Sequence, residues 1–431
     1  MTETPDPDPL SPAHPIPARR ICGGTAARIL CAAVLLLAAL PWARAGITDA
    51  PGEQLQVSLL TYGPGDIYWE RFGHDAIEIR DRDSGESVAF NYGMFDFNQK
   101  NFLLNFARGH MRYRMDAVRT PDDLAYYRSE GRSIRRQQLA LSPAQRANLR
   151  DFLLWNLQAA NTQYNYNYYT ANCATKVRDA LDRVLKGALH KQLSDRPARL
   201  TWRQQTDRLM AAQPWLMLLL DLGLSSYADR PLDAWQDSFL PGVLARELAS
   251  VQIANQNHDP QPLVTSDAVL ARTRLTPPPA EPPDLRMPLL AAGAAFALVL
   301  LLAAQSRQRI ARRVFSLMAS LWLLVAGLAG LLMLLLWTLT EHESAWANAN
   351  LLLFNPLAWL MLAAVWRKRP SRRDHLLSWL LVLLPAIGLL ANLGGLLQQR
   401  NLPWILLALP IWLVLAHVIR TRAERTTAPA S

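Results

Sequence analysis

"NYNYYTANCATKV", residues 165–177, carries the only cysteine outside the first 31 residues of the chain. Aromatic and amide side chains crowd in front of it. A helical pattern follows, with Val177, Leu181 and Val184 on one apolar stripe. Asn172 or Thr170 suits the N-cap of that helix. Cys173 then stands in the first turn, at the positive end of the helix dipole, which favours a thiolate. A lone cysteine is ordinarily a small buried filler. The reading therefore turns on whether a base faces it.

His74, in "WERFGHDAIEIRD" (69–81), is the candidate base. It follows a glycine and opens a predicted strand over 75–81, where Ile77 and Ile79 share a face. "SVAFNY" (87–92) is a second strand, and "DRDSGE" (81–86) between them is turn chemistry, which predicts a β-hairpin. Pairing around a turn at 83–85 puts residues 91–93 opposite His74. Asn91 or Tyr92 is then placed to hold the second ring nitrogen of the imidazole. Asp75 points to the other face of the strand and ranks lower. A cysteine on a helix and a histidine on a strand form the usual thiolate–imidazole arrangement of a thiol nucleophile. Tyr164, Tyr166, Tyr168 and Tyr169 are more often packing than chemistry. Tyr168, Tyr169 and Asn172 are nevertheless candidates to line a substrate cleft. A metal reading would use His74, Asp75, Glu78 and His110, but no paired-ligand spacing such as H-E-x-x-H supports it. No metal and no cofactor is expected.

Around these residues the pattern is α+β. Residues 54–60 and 136–141 are further strands. Ser142-Pro143-Ala144-Gln145 is a capping box that starts a helix running to about 157. Residues 46–190 make one domain, and 191–254 a helical extension. The extension includes "PWLMLLLDLGL" (214–224), too short to span a bilayer and so a core helix or one lying in the membrane surface. The proline-rich stretch 255–286, with "TPPPAEPPD" at 276–284, predicts an extended linker.

The two ends of the chain set its compartment. Residues 1–45 resemble a signal peptide, with a basic flank, the apolar run "ILCAAVLLLAAL" (29–40) and "ARA" (43–45) as cleavage site. Cys22 and Cys31 would leave with it. Five apolar runs, near 287–305, 314–338, 350–366, 376–397 and 402–419, are each about long enough to cross a bilayer as helices. Basic linkers alternate with acidic or neutral ones, so the positive-inside rule predicts a soluble part outside and a cytoplasmic tail over 420–431. The net charge of +10 invites a nucleic-acid reading, but residues 46–285 hold 27 Lys/Arg against 28 Asp/Glu. The excess belongs to the membrane half and excludes a nucleic-acid face. Near the membrane edge, His342, Glu343, Asn348 and Asn350 cluster. His342 and Asn350 are candidates to dock a head group or the active site, and the 340–348 loop is expected to face the soluble domain.

Four blocks in order, "W-x-x-F-G-H" (69–74), "NYGMFDF" (91–97), "GHMRYRM" (109–115) and "YNYNYYTANCATKVRD" (164–179), resemble the N-terminal domain of Lnb-type proteins. More loosely they resemble the permuted papain-like group of lecithin retinol acyltransferase and the NlpC-type peptidases. "HESAWANANLLLFNP" (342–356) resembles a block of related membrane halves. The resemblance implies a permuted papain-like Cys/His domain; with the signal peptide and the five apolar runs the expectation is that α+β domain in the periplasm, followed by an all-α membrane domain of five transmembrane helices in a cell inner membrane. It assigns the family's cysteine to Cys173 and its histidine to His74. The implied activity is intramolecular transacylation of lipoproteins, from a glycerol ester to an α-amine through an acyl thioester, with a lipid-modified protein or lipid as partner. A cell-envelope peptidase or amidase, and a non-enzymatic sensor or scaffold, are the alternatives.

Overall fold

The computed structural model describes residues 46–95, 100–255, 257 and 259–424. The expected signal peptide, with Cys22 and Cys31, and the last seven residues of the expected tail lie outside these.

The soluble part is built on an antiparallel sheet. Its strands are β1 (Leu55–Tyr62), β2 (His74–Asp81), β3 (Ser87–Met94), β4 (Arg112–Arg119), β5 (Ile134–Leu139) and β6 (Gln163–Asn165). After a small separate hairpin of β7 (Gln252–Ala254) and β8 (Pro260–Pro262), β9 (Val264–Ala271) completes it. The order is β6-β4-β3-β2-β1-β5-β9. β1 is almost wholly buried, as a central strand covered on both faces must be. β2 and β3 form the expected hairpin, in which Ala76 pairs with Asn91 and Ile77 with Phe90.

Helices α1 (Phe102–Arg108), α2 (Thr120–Ser129), α3 (Pro143–Leu157) and α4 (Cys173–Val184) connect the strands. The capping box of α3 is present, with Ser142 and Gln145 bonding each other's backbone and Pro143 in the first turn. One sheet face presents Leu59, Ile77 and Phe90 to Leu149 and Leu153 of α3 and Val177 and Leu181 of α4. Each such buried leucine contributes about 1.5–3 kcal/mol. The other face places Leu60, Tyr62, Ala76 and Ala89 under Tyr127 of α2.

The region expected as a helical extension holds α5 (Ala188–Ser194), α6 (Trp202–Met210), α7 (Pro214–Gly223), α8 (Ala234–Asp237) and α9 (Pro241–Leu248). The expected linker 255–286 differs from the reading. Its centre is β9, paired with β5 along the sheet edge. After β9 the stretch 272–285, which includes the proline-rich 276–284, is irregular, and it is held down, since Arg199 donates to Ala280 O at 3.1 Å and Arg208 to Pro279 O at 3.4 Å.

The membrane half contains α10 (Arg286–Gln305), α11 (Arg309–Leu339), α12 (Arg372–Leu393) and α13 (Leu402–Glu424), with mean hydropathies of 2.2 to 2.4. Among the described residues these four are long and apolar enough to cross a membrane. Gly293 lets α10 approach α13 closely, because a Cβ there would collide with Leu407 O. The expected fifth helix, 350–366, is instead a run of short 3-10 turns, Ala349–Leu352, Pro356–Met361 and Ala364–Trp366. Pro356 cannot donate to a preceding carbonyl, and the Asn355 side chain caps the turn that follows, so a continuous α-helix is broken there. Four such helices, an even number, would return the C-terminus to the side of the soluble domain. This count overturns the expectation of five transmembrane helices and a cytoplasmic C-terminus.

The two halves meet through α7. Leu218 and Leu222 pack against the membrane helices, while Trp215 and Leu219 are exposed. Asn348 donates to Leu222 O and Gly223 O, both at 2.9 Å, and Asn350 donates to Leu222 O at 2.9 Å. These asparagines satisfy the carbonyls at the end of α7 that have no helical partner. Beside them Arg203 is buried between Asp221 and Asp229, each at 2.8 Å, and the Trp404 indole donates to Asp221 at 2.7 Å.

Candidate active site

Cys173 is the first residue of α4 and is half-buried. Asn172 caps the helix: its Oδ1 accepts from Thr175 N at 2.9 Å, and Thr175 Oγ1 accepts from Asn172 N at 2.8 Å. The asparagine's amide also donates to Tyr168 O at 3.0 Å and Phe239 O at 2.9 Å. Its side chain is thus consumed in fixing the cysteine's position.

The helix start abuts the sheet where β3 leaves its partner. The register between β3 and β4 shifts between Asn91 and Met94, and Gly93 in that bulge has φ +90°. A Cβ on Gly93 would lie 3.4 Å from Cβ of Cys173. The backbone N–H groups of Asp75 and Ala174 reach the sulfur. The thiol therefore touches the residue that follows His74 in β2.

Burial, together with the nearby Asp75 carboxyl, pushes the Cys173 thiol up to about 12, against the smaller downward effect of those two amides. The expected thiolate at the helix dipole is not the resting species: desolvation outweighs the dipole here. Asp75 is wholly buried. Thr61 donates to its Oδ1 at 2.8 Å, while Oδ2 has no hydrogen-bond partner among the described residues. Burial pushes its carboxyl up to about 7.

His74 lies on the opposite side of β2 from the Asp75 side chain. Its ring stacks on Tyr62 and on Tyr127, with centroids 6.0 and 5.8 Å away. His74 Nε2 lies 2.8 Å from Asn91 Oδ1. The Asn91 amide nitrogen is directed at Ala89 O and Asp123 Oδ1, so its oxygen faces the ring. Nε2 is then the protonated nitrogen, and Nδ1 keeps its lone pair. Behind Asn91, Tyr62 donates its hydroxyl to Asp123 Oδ2. Burial holds the imidazole down, to about 4, so it is neutral at neutral pH. Among the described residues no hydrogen bond joins His74 to Cys173.

The other candidates separate. Tyr92 turns to the α3 face, where its hydroxyl donates to Asn156 at 2.8 Å, away from His74. Tyr169 is buried on Trp202 and bonds Thr206 at 3.0 Å, so it packs rather than lines a cleft. Tyr168 is partly exposed and stacks on His342, whose Nε2 sits 3.0 Å from Phe106 O. Asn350 is fully buried and also receives a bond from Asn401 at 3.1 Å. It belongs to the joint between the halves, not to an open docking surface. The residues weighed for a metal are dispersed: Glu78 is paired with Arg136 and His110 with Glu341. Asp123, Tyr62 and Tyr127, which wrap His74, carried no sequence signal, because they come from β1 and α2 and meet only in the folded sheet.

A thiol at the start of α4 and a neutral imidazole held by an amide at the start of β2 thus belong to a domain joined to a membrane half. Residues 44–208 match the Lnb N-terminal periplasmic domain, and residues 281–425 match the Lnb transmembrane domain. The chain belongs to the Lnb family, that of the lipoprotein intramolecular transacylases, and its N-terminal domain is periplasmic. No curated protein and no solved structure matches the chain.

Proposed function

We propose that the site is a permuted papain-like Cys/His centre that moves an acyl chain within a lipoprotein's diacylglyceryl-cysteine terminus, from a glycerol ester to the α-amine. The observation that carries the reading is Cys173 at the start of α4, against the amide of Asp75, the residue that follows a His74 held by Asn91.

The resting pair is thiol and neutral imidazole, so the proton moves as the bond forms. His74 Nδ1 takes the Sγ proton while sulfur attacks the ester carbonyl carbon. The carbonyl electrons pass to oxygen, and the backbone N–H of Cys173 at the start of α4, which has no carbonyl four residues back, stabilises that charge. Collapse breaks the bond to the glycerol oxygen, which receives the proton from His74 and leaves an acyl thioester on Cys173. The substrate's amine then attacks the thioester, His74 accepts the amine proton, and the thiol is expelled and reprotonated. Ester is exchanged for amide, which is downhill.

The test is mass spectrometry of lipoprotein amino-termini from cells that make the protein or its variants. Cys173→Ala is expected to abolish the transferred amide, and Cys173→Ser to leave at most a trace. His74→Ala should be nearly as severe, because the two act as a unit. An unchanged acylation pattern with Cys173→Ala would overturn the nucleophile assignment.

A further inference from the structure

Helix α1 sits oddly for an element of a water-soluble domain. Five of its seven residues, "FLLNFAR", are apolar, and none is buried. Leu103 is 79% exposed, Leu104 48% and Phe106 37%. A single two-turn helix is far below the length that is stable by itself in water. Packing against the protein's own core does not hold it.

What does hold it comes from the membrane half. Beyond its own cap, in which Gly109 N donates to Phe106 O at 3.0 Å and His110 N to Asn105 O at 2.9 Å, its last carbonyls are met by the loop that follows α11. Glu341 N donates to Arg108 O at 2.8 Å, and His342 Nε2 lies 3.0 Å from Phe106 O. His110, just past the helix, pairs with Glu341 at 2.9 Å. α11 ends at Leu339, two residues before Glu341. Trp337 and Leu339, in its final turn, are themselves exposed, as lipid-facing residues at the rim of a span are. α1 is therefore fastened at the depth where a membrane-crossing helix leaves the hydrocarbon, with its leucines uncovered there.

We propose that α1 seats Leu103, Leu104 and Phe106 in the lipid surface, as an interfacial helix continuous with the membrane domain. The occupant of this apolar face is the bilayer itself. The large apolar exposure, the lack of any buried residue and the attachment to the end of a span agree on it. From this seat an aromatic row leads inward: Phe106 meets His342, His342 stacks on Tyr168, Tyr168 meets Tyr166, and Tyr166 stacks on Tyr113 at 4.2 Å. Cys173 lies close enough to Tyr166 to help raise the pKa of its hydroxyl. That a lipid tail follows this row to the thiol rests on the acyl-transfer reading; the seat itself does not.

The experiment uses the full chain in phosphatidylcholine vesicles, with the native cysteines replaced by serine and an environment-sensitive fluorophore placed through Leu103→Cys, then separately through Leu104→Cys. Because neither position is buried, both variants should fold. The expected result is blue-shifted emission, quenched by lipids carrying a quencher in the upper acyl chain and shielded from aqueous iodide. Water-like emission with full iodide quenching at both positions would overturn the seat. So would shielding from both quenchers accompanied by Leu103→Cys cross-links between chains, which would place a second copy over α1. These readouts need no catalysis, so their failure is distinct from failure of the transacylase reading.

Discussion

Asn91 shows how much one amide decides. It accepts from His74 with its oxygen only because its nitrogen is occupied by Ala89 O and Asp123. Remove the amide and the imidazole is free to protonate the wrong nitrogen. Asn91→Ala is expected to lower the rate of thioester formation by about 10- to 100-fold, through kcat and with little change in KM, as steady-state kinetics on a synthetic diacylglyceryl peptide would measure. The neutral imidazole has a second consequence. Its folded value, about 4, lies below the ordinary 6.5. Between these values the unfolded chain binds a proton that the folded one refuses, so His74 stabilises the fold above pH 6.5 and that contribution is lost as pH falls toward 4. Thermal melts from pH 7 to pH 4 should show this acid loss reduced in His74→Gln. The contact of Asn91 with His74 was legible in the sequence because a hairpin has a countable register. The state of the thiol was not: the dipole is visible in a helix cap, whereas desolvation depends on what covers the sulfur.

At the scale of elements, the bulge at the end of β3 sets where α4 begins. Gly93 holds a backbone conformation that other residues enter only with strain, and a Cβ there would lie in contact with Cys173, 3.4 Å from its Cβ. Gly93→Ala should cost about 1 kcal/mol or more of stability, read from urea denaturation, and lose more activity than that stability loss explains. Isolated periodicity found α3, α4 and the β2–β3 hairpin. It failed at β9, because "VTSDAVLA" sits beyond a helical region and beside prolines, and only a distant partner, β5, makes it a strand. It also failed at 350–366, where composition alone promised a helix and Asn355-Pro356 broke it.

For the whole molecule, the decisive contact is the joint at α7. Arg203 is nearly wholly buried between Asp221 and Asp229, and the same aspartates reach Trp404 and the backbone N of Arg400 in the membrane half. Removing one partner leaves a buried charge uncompensated, so Arg203→Ala is expected to cost about 3–5 kcal/mol. Limited proteolysis in detergent should then cut between the halves, in the segment around 224–233, faster than in the parent chain. The asparagines of the 342–356 block, which in sequence suggest a head-group site, are part of this fastening.

The outermost strand of the sheet also carries a consequence for biosynthesis. β9 ends at Ala271, and the first membrane helix begins at Arg286. During export the catalytic half emerges first, yet β5 keeps an open edge until nearly the whole periplasmic polypeptide has been translocated. An unpaired edge recruits other strands, so the newborn domain is most prone to self-association just before the ribosome reaches the anchor. Completion of the enzyme and its fixation in the bilayer are thereby tied to the same moment of synthesis.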